Sequence, residues 1–258
     1  MSLDVLTQLS PRIFRSVRAG IIYDRTDFNK SELDSIEKSY RRINVELIPS
    51  EKLENLEDDF GILGILGQRP LRSSGESIEN FSCLKVGFHP DGGTLEPLRR
   101  SLRQVNAAII CLGSKTLLQS LSSTVYHFYE SLTLPSLLNI DLADVESIAG
   151  GIGISFNEVG DSSEEIISHL PPECYLAKSA LLHFSCEPNV TLEEVYRISK
   201  MISTRKAASP FVHNRTPDQI KIYKRIRLKM GLRIAQVSRE SNIIPRISLT
   251  GILFGIRS

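Results

Sequence analysis

The sequence predicts an α/β protein in two parts, a parallel-sheet domain over residues 1–136 and an α+β domain over residues 137–258. Two observations carry this. In the first part short apolar runs alternate with amphipathic segments, and several runs are apolar on both faces, as strands buried in a parallel sheet are. In the second part the texture changes, and two strands in succession close the chain, which reads as α+β.

Each element has its own signal. Arg18–Tyr23 (RAGIIY) reads as a strand, and Lys30–Arg42 places Leu33, Ile36 and Tyr40 on one helical face. Asn44–Ile48, Phe60–Leu66, Leu84–Phe88 and Ala107–Leu112 are further strands, with Leu95–Val105 a strongly basic helix before the last of them. Beyond the junction, Ile152–Phe156 is a strand, Ser162–Leu170 a helix opened by Asp161 and Ser162, and Ala177–Ser185 a strand. Leu192–Ile202 is a helix capped by Thr191, with acids in its first turn. Thr204–Gln219 contains two prolines and reads as a loop, followed by strands at about Ile222–Gln236 and Arg246–Leu253. Gly150-Gly151-Ile152-Gly153 follows a helix, and its glycines end that helix and start a strand.

Composition excludes several classes. Hydrophobic residues make up 41% and charged residues 24%, with a net charge of +1, so no global field recruits nucleic acid or membrane. No apolar run approaches the roughly 20 residues of a membrane span. Cys83, Cys111, Cys174 and Cys186 are scattered, as reduced thiols of a cytoplasmic protein are. A zinc site would need paired Cys or His at short spacing. The nearest, His183 with Cys186, has no second pair, so no metal is expected. His89, His127, His169, His183 and His213 have no sequence-near nucleophile, and no triad follows from spacing. Gly92-Gly93-Thr94 and Ser73-Ser74-Gly75 lack the spacing that brings several amides onto a phosphate and read as turns.

Residues 137–145 (LLNIDLADV) place Asn139, Asp141 and Asp144 among Leu137, Leu138, Ile140, Leu142 and Val145. Taken alone, the acids read as caps for a following helix, favoured by the positive end of its dipole. The wider context adds a second reading. Asn139-Ile140-Asp141-Leu142-Ala143-Asp144-Val145 resembles the N-x-D-F-A-D-V loop of FtsZ, the bacterial and archaeal tubulin relative, with only Leu142 changed. GGIGISFNEVGDSSEEII is similar to the family's next strand, loop and helix. AKSALLHFSCEPNVTLEEVYRISKMI shares Ala177-Lys178, Thr191-Leu192 and Glu194-Val195 with its following strand and helix. Lys229-Met230-Gly231 and Ile247-Ser248-Leu249-Thr250-Gly251 resemble its two closing strands, so the similarity runs in order over residues 137–254.

The resemblance implies a Rossmann-like domain, shortened here, followed by an FtsZ/tubulin-like C-terminal domain in which a central helix leads into a four-stranded mixed sheet. No residues are assigned to that helix. It also implies that Asn139, Asp141 and Asp144 reach the nucleotide pocket of the next subunit and position the attacking water. Helix capping stays open beside this.

The nucleotide motifs are degenerate. Gly64-Ile65-Leu66-Gly67-Gln68-Arg69-Pro70 stands where the family has G-G-G-T-G-S/T-G, Asp24-Arg25-Thr26 replaces its first glycine-rich turn, and Gly113-Ser114-Lys115 its guanine-reading pair. A bulky Arg69-Pro70 removes an amide donor and blocks close approach of a phosphate. No cofactor is therefore expected, GTP included, and no robust GTPase. The expected role is a cytoskeletal or cell-division interaction protein that caps or modulates an FtsZ/tubulin-like filament, or self-associates. The alternative is a divergent, polymer-forming GTPase. A third reading uses the basic stretch 205–233, with Lys221, Lys224, Arg225, Arg227 and Lys229, to bind nucleic acid or an anionic membrane surface. The same charges also read as one solvated face that protects an edge strand.

Overall fold

Nine strands pair in the computed structural model, which describes residues 17–67, 78, 80–91, 104–204, 226–234 and 246–256. They are β1 (Ala19–Tyr23), β2 (Val45–Pro49), β3 (Ile62–Leu66), β4 (Leu84–Pro90), β5 (Ala107–Cys111), β6 (Gly151–Gly160), β7 (Ser179–Cys186), β8 (Arg227–Ile234) and β9 (Ile247–Phe254). One sheet contains them all, in the order β2-β1-β3-β4-β5-β6-β9-β7-β8. From β2 to β6 every pairing is parallel. Then β9 lies antiparallel between β6 and β7, and β8 closes the edge parallel to β7. The sheet thus runs unbroken past residue 136, from an all-parallel half into a four-stranded mixed half.

Burial follows the sequence patterns. All five residues of β1 and of β3 are buried, as apolar runs with cover on both faces require. Helix α1 (Lys30–Arg41) buries Ile36 and Tyr40, and the Tyr40 hydroxyl donates to the Leu121 carbonyl at 2.7 Å. In the mixed half the alternation of β7 separates two cores. Leu181 joins the core that holds Phe88, Phe128 and Tyr129. Ala180, Leu182 and Phe184 join another, with helices α5 (Ser163–His169) and α6 (Leu192–Thr204).

The largest addition to the expected elements is a helical segment between β5 and the acidic loop. It comprises α2 (Leu117–Ser120), a π-helical turn (Leu121–Val125) and α3 (Tyr126–Thr133). From Phe128 to Thr133 every residue of α3 is buried. A helix buried all round carries no amphipathic stripe, so periodicity does not reveal it. The Tyr129 hydroxyl donates to the Gly20 carbonyl at 3.0 Å, pinning this central helix to β1. Thr124 of the π turn shares a hydrogen bond with Ser155 at 3.0 Å and accepts one from Asn157 at 3.0 Å, and the Thr250 hydroxyl donates to Asn157 at 2.7 Å. This polar chain ties the π turn to β6 and β9.

Other differences are at boundaries. β6 runs ten residues rather than five, because β9 pairs with it along its whole C-terminal part. The expected strand at Ile222–Gln236 is described over Ile226–Ile234 and begins at Arg227. The expected helix Leu95–Val105 is undescribed up to residue 103, and the loop Thr204–Gln219 lies outside the described residues beyond Thr204.

Candidate functional site

Strand order reverses between β1 and β3, because the chain passes from β1 out to β2 and then back across to β3 and β4. In open parallel sheets the crevice beyond the C-terminal ends of such strands is where ligands bind. Among the described residues, the loops there are bonded to the protein's own side chains. Asp24, after β1, accepts from the Thr26 amide at 2.9 Å and the Thr26 hydroxyl at 2.7 Å. At the start of α1 a capping box closes the exposed amides: Glu32 N–H donates to Asn29 Oδ1 at 3.0 Å, and Asn29 N–H donates to Glu32 Oε2 at 2.8 Å. An anion at a helix start needs those amides. After β4, Asp91 Oδ2 accepts from the Gly113 amide at 3.0 Å, and Asp91 N–H donates to the Ser114 carbonyl at 2.7 Å. Gly113-Ser114-Lys115 is therefore a turn held by a carboxylate. Gln68-Arg69-Pro70, Ser73–Gly75 and Gly92–Thr94 lie outside the described residues.

The acidic loop is tightly built. Asn139 Oδ1 accepts from the Ser136 amide at 2.8 Å and from its hydroxyl at 2.7 Å. Leu137 and Leu138 hydrogen-bond through their backbones to Leu232 on β8, which anchors the loop to the edge of the sheet. Asp141 is the N-cap of α4 (Leu142–Ile148), accepting from the Asp144 amide at 2.7 Å while Asp144 reaches back to the Asp141 amide at 3.4 Å. The capping geometry is thus present. It leaves Asn139 and Asp141 exposed at the surface, and Leu138 exposed beside them. Asp144 also accepts from Lys229 Nζ at 2.5 Å.

That contact joins two features that spacing kept apart. Lys229 belongs to the expected anion-binding face, yet it meets an acid of the loop. Arg227 is exposed, while Lys221, Lys224 and Arg225 lie outside the described residues. Arg233, on the same strand, turns inward to a second acid, Glu130.

Glu130 lies on α3 and is 8% exposed. Its Oε1 accepts from Arg233, while Oε2 lies 3.4 Å from His127 Nδ1 and 3.5 Å from His183 Nε2. Burial alone would raise the pKa of this carboxyl. The close approach of His127 and His183 and the Arg233 charge outweigh burial and hold it at about 2. His183, inside β7, is 3% exposed, and neither of its ring nitrogens has a hydrogen-bond partner among the described residues. The two imidazoles stack, with centroids 6.2 Å apart and planes 28° from parallel. Among the described residues this is the one group of three side chains able to hold a metal ion together. Its sequence signal is the His-x-x-Glu spacing at 127–130, which brings the two side chains together only on a helix. His183 does pair, but with these residues of the helix rather than with Cys186. Burial pushes the Cys111 thiol up to about 11 and Cys186 to about 12, so neither offers a thiolate at neutral pH.

The architecture and its rim decide the comparison with known structures. The chain has an FtsZ/tubulin-like fold. It superposes on an empty FtsZ dimer structure from M. jannaschii with a TM-score of 0.66 at 14% identity, covering 99% of this chain and 93% of that one. A mutant of M. jannaschii FtsZ gives 0.64 at 14% identity, over 98% and 94%. TubZ from Bacillus thuringiensis serovar israelensis, in GDP-form protofilaments, gives 0.52 at 10% identity, over 94% and 86%. No protein-family model and no curated protein matches the sequence. Among the described residues no helix is long and apolar enough to cross a membrane.

Proposed function

We propose that this FtsZ/tubulin-like chain is a filament-associated protein without robust GTPase activity, which presents its loop 137–145 to the nucleotide pocket of a neighbouring filament subunit. The observation that carries this reading is the contrast between its two ends. The crevice at the strand termini holds Asp24, Glu32 and Asp91 where a phosphate would need free amides. Each of these carboxylates also repels a polyphosphate. The loop, by contrast, is pinned to β8 with Asn139 and Asp141 outward.

A filament subunit needs both ends: a pocket above and a loop below. A molecule with only the lower one adds to a nucleotide-bearing subunit and offers nothing to the next, so growth stops at that end. A loop carboxylate that reaches the neighbour's nucleotide positions water there. Asp141, exposed and fixed at the start of α4, suits that task better than Asp144, which is already engaged by Lys229. Titration calorimetry with GTP, GDP and ATP in magnesium is expected to show no micromolar binding; such binding would favour a divergent GTPase instead. With a native FtsZ-type filament protein, equimolar addition should change polymer mass and phosphate release, and Asp141→Ala should abolish the effect on release. No change in polymer mass or turnover would eliminate the proposal. A basic adaptor surface is the weaker alternative, because Lys229 and Arg233 are both spent on internal acids.

A further inference from the structure

The cluster between the central helix and β7 of the mixed sheet has the donor set of a metal centre. His127, Glu130 and His183 each offer one ligand atom, and the three atoms lie within 4.8 Å of one another. Bonds of about 2.0–2.1 Å to a tetrahedral Zn²⁺ place neighbouring ligand atoms about 3.4 Å apart. The two separations from Glu130 Oε2 are 3.4 Å and 3.5 Å. Two edges of the coordination triangle therefore already have the right length. The third lies between the two imidazoles, and His127, whose side chain is 28% exposed, is the freest of the three to adjust it.

We propose that His127, Glu130 and His183 bind a divalent transition-metal ion of the zinc class, with a fourth position reached from solvent past His127. Three further observations support it. His183 is 97% withdrawn from solvent, yet neither ring nitrogen makes a hydrogen bond among the described residues, an expensive state for a polar ring that a metal bond at Nε2 would relieve. Arg233 holds Oε1 of Glu130 and leaves Oε2 facing the imidazoles, as a group that orients a ligating carboxylate does. Two neutral imidazoles with one carboxylate are also the ligands this class of ion prefers. Since the ligands come from α3 and β7, a bound ion would fasten the central helix to the mixed sheet.

The test uses the full chain stripped with chelator and then titrated with ZnCl₂ against a chromophoric competitor, and separately with CoCl₂. One equivalent of Zn²⁺ should bind with micromolar or tighter affinity, Co²⁺ should give the visible absorption of a tetrahedral site, and Tm should rise with metal. His127→Ala, at the exposed edge, and Glu130→Gln should each weaken binding by at least about tenfold. His169→Ala, on the surface of α5, should bind as the parent does. If a variant unfolds by circular dichroism, the Co²⁺ spectrum of the parent chain still decides. No stoichiometric binding, an octahedral Co²⁺ spectrum, or binding insensitive to His127→Ala and Glu130→Gln would overturn the proposal.

Discussion

His89 and His183 are buried to nearly the same degree, 2% and 3% exposed, each inside a strand of the same sheet, in opposite settings. His89 stands on β4 in the parallel half. Neither of its ring nitrogens has a hydrogen-bond partner among the described residues, and burial pushes its pKa down to about 4. His183 stands on β7 in the mixed half. Burial lowers its pKa too, and the net shift stays downward although Glu130 opposes it. Equal burial therefore yields a merely insulated neutral ring in one half and a ring drawn to an acid in the other. The difference lies in the face each ring occupies. His89 alternates with Phe88 and so faces away from the core that holds the central helix, whereas His183 faces that helix, which brings Glu130, and the neighbouring strand brings Arg233.

The strongest test of that division is to hollow out each half. Phe88→Ala and Phe184→Ala each remove a fully buried ring and should cost about 3–5 kcal/mol. Because β5 and β6 pair without a break, both changes should move one common unfolding transition in denaturant, followed by far-UV circular dichroism. Two separated transitions, each sensitive to one substitution, would show instead that the halves fold as independent units.

Acid should next test the buried ring of the parallel half. The folded-state pKa of His89, about 4, lies below the ordinary 6.5, so between those values the unfolded chain binds more protons. This contribution to stability is flat above about pH 6.5, falls as pH drops, and levels near pH 4, a total loss of roughly 3 kcal/mol. His89→Leu should flatten that window in denaturant midpoints measured against pH. A parent and variant that lose stability in parallel would place the acid sensitivity elsewhere.

Smaller effects compare the two capping boxes. Asn29→Ala on α1 and Asp141→Ala on α4 remove equivalent N-caps, each worth about 1 kcal/mol. A much larger loss at Asp141, read from thermal unfolding, would mean that the loop is chiefly a structural anchor. The smallest expected change is at Lys229. Its bridge to Asp144 is partly exposed, so Lys229→Ala should cost less than about 1 kcal/mol, and the difference from the parent should shrink in high salt.

Much of this was legible because it is local. The caps are spacings of three residues: Asp141 with Asp144, and Thr191 with Glu194, where the Glu194 carboxylate accepts from the Thr191 amide at 2.9 Å. The buried strands of the parallel half were equally plain, since cover on both faces leaves an unbroken apolar run. The same complete burial concealed the central helix, because it erases the period of 3.6 that would have marked it.

The sequence by itself therefore determined the strands and the caps, which depend on neighbours in the chain. Only the tertiary structure decided what the charges meet. Lys229 and Arg233 read in the chain as one basic, solvated face. Packing the edge strand against the loop and the central helix gives them acids 85 and 103 residues away. It also stacks His127 on His183. No local pattern encodes such meetings, because they arise only where the order of strands in the sheet brings distant segments side by side.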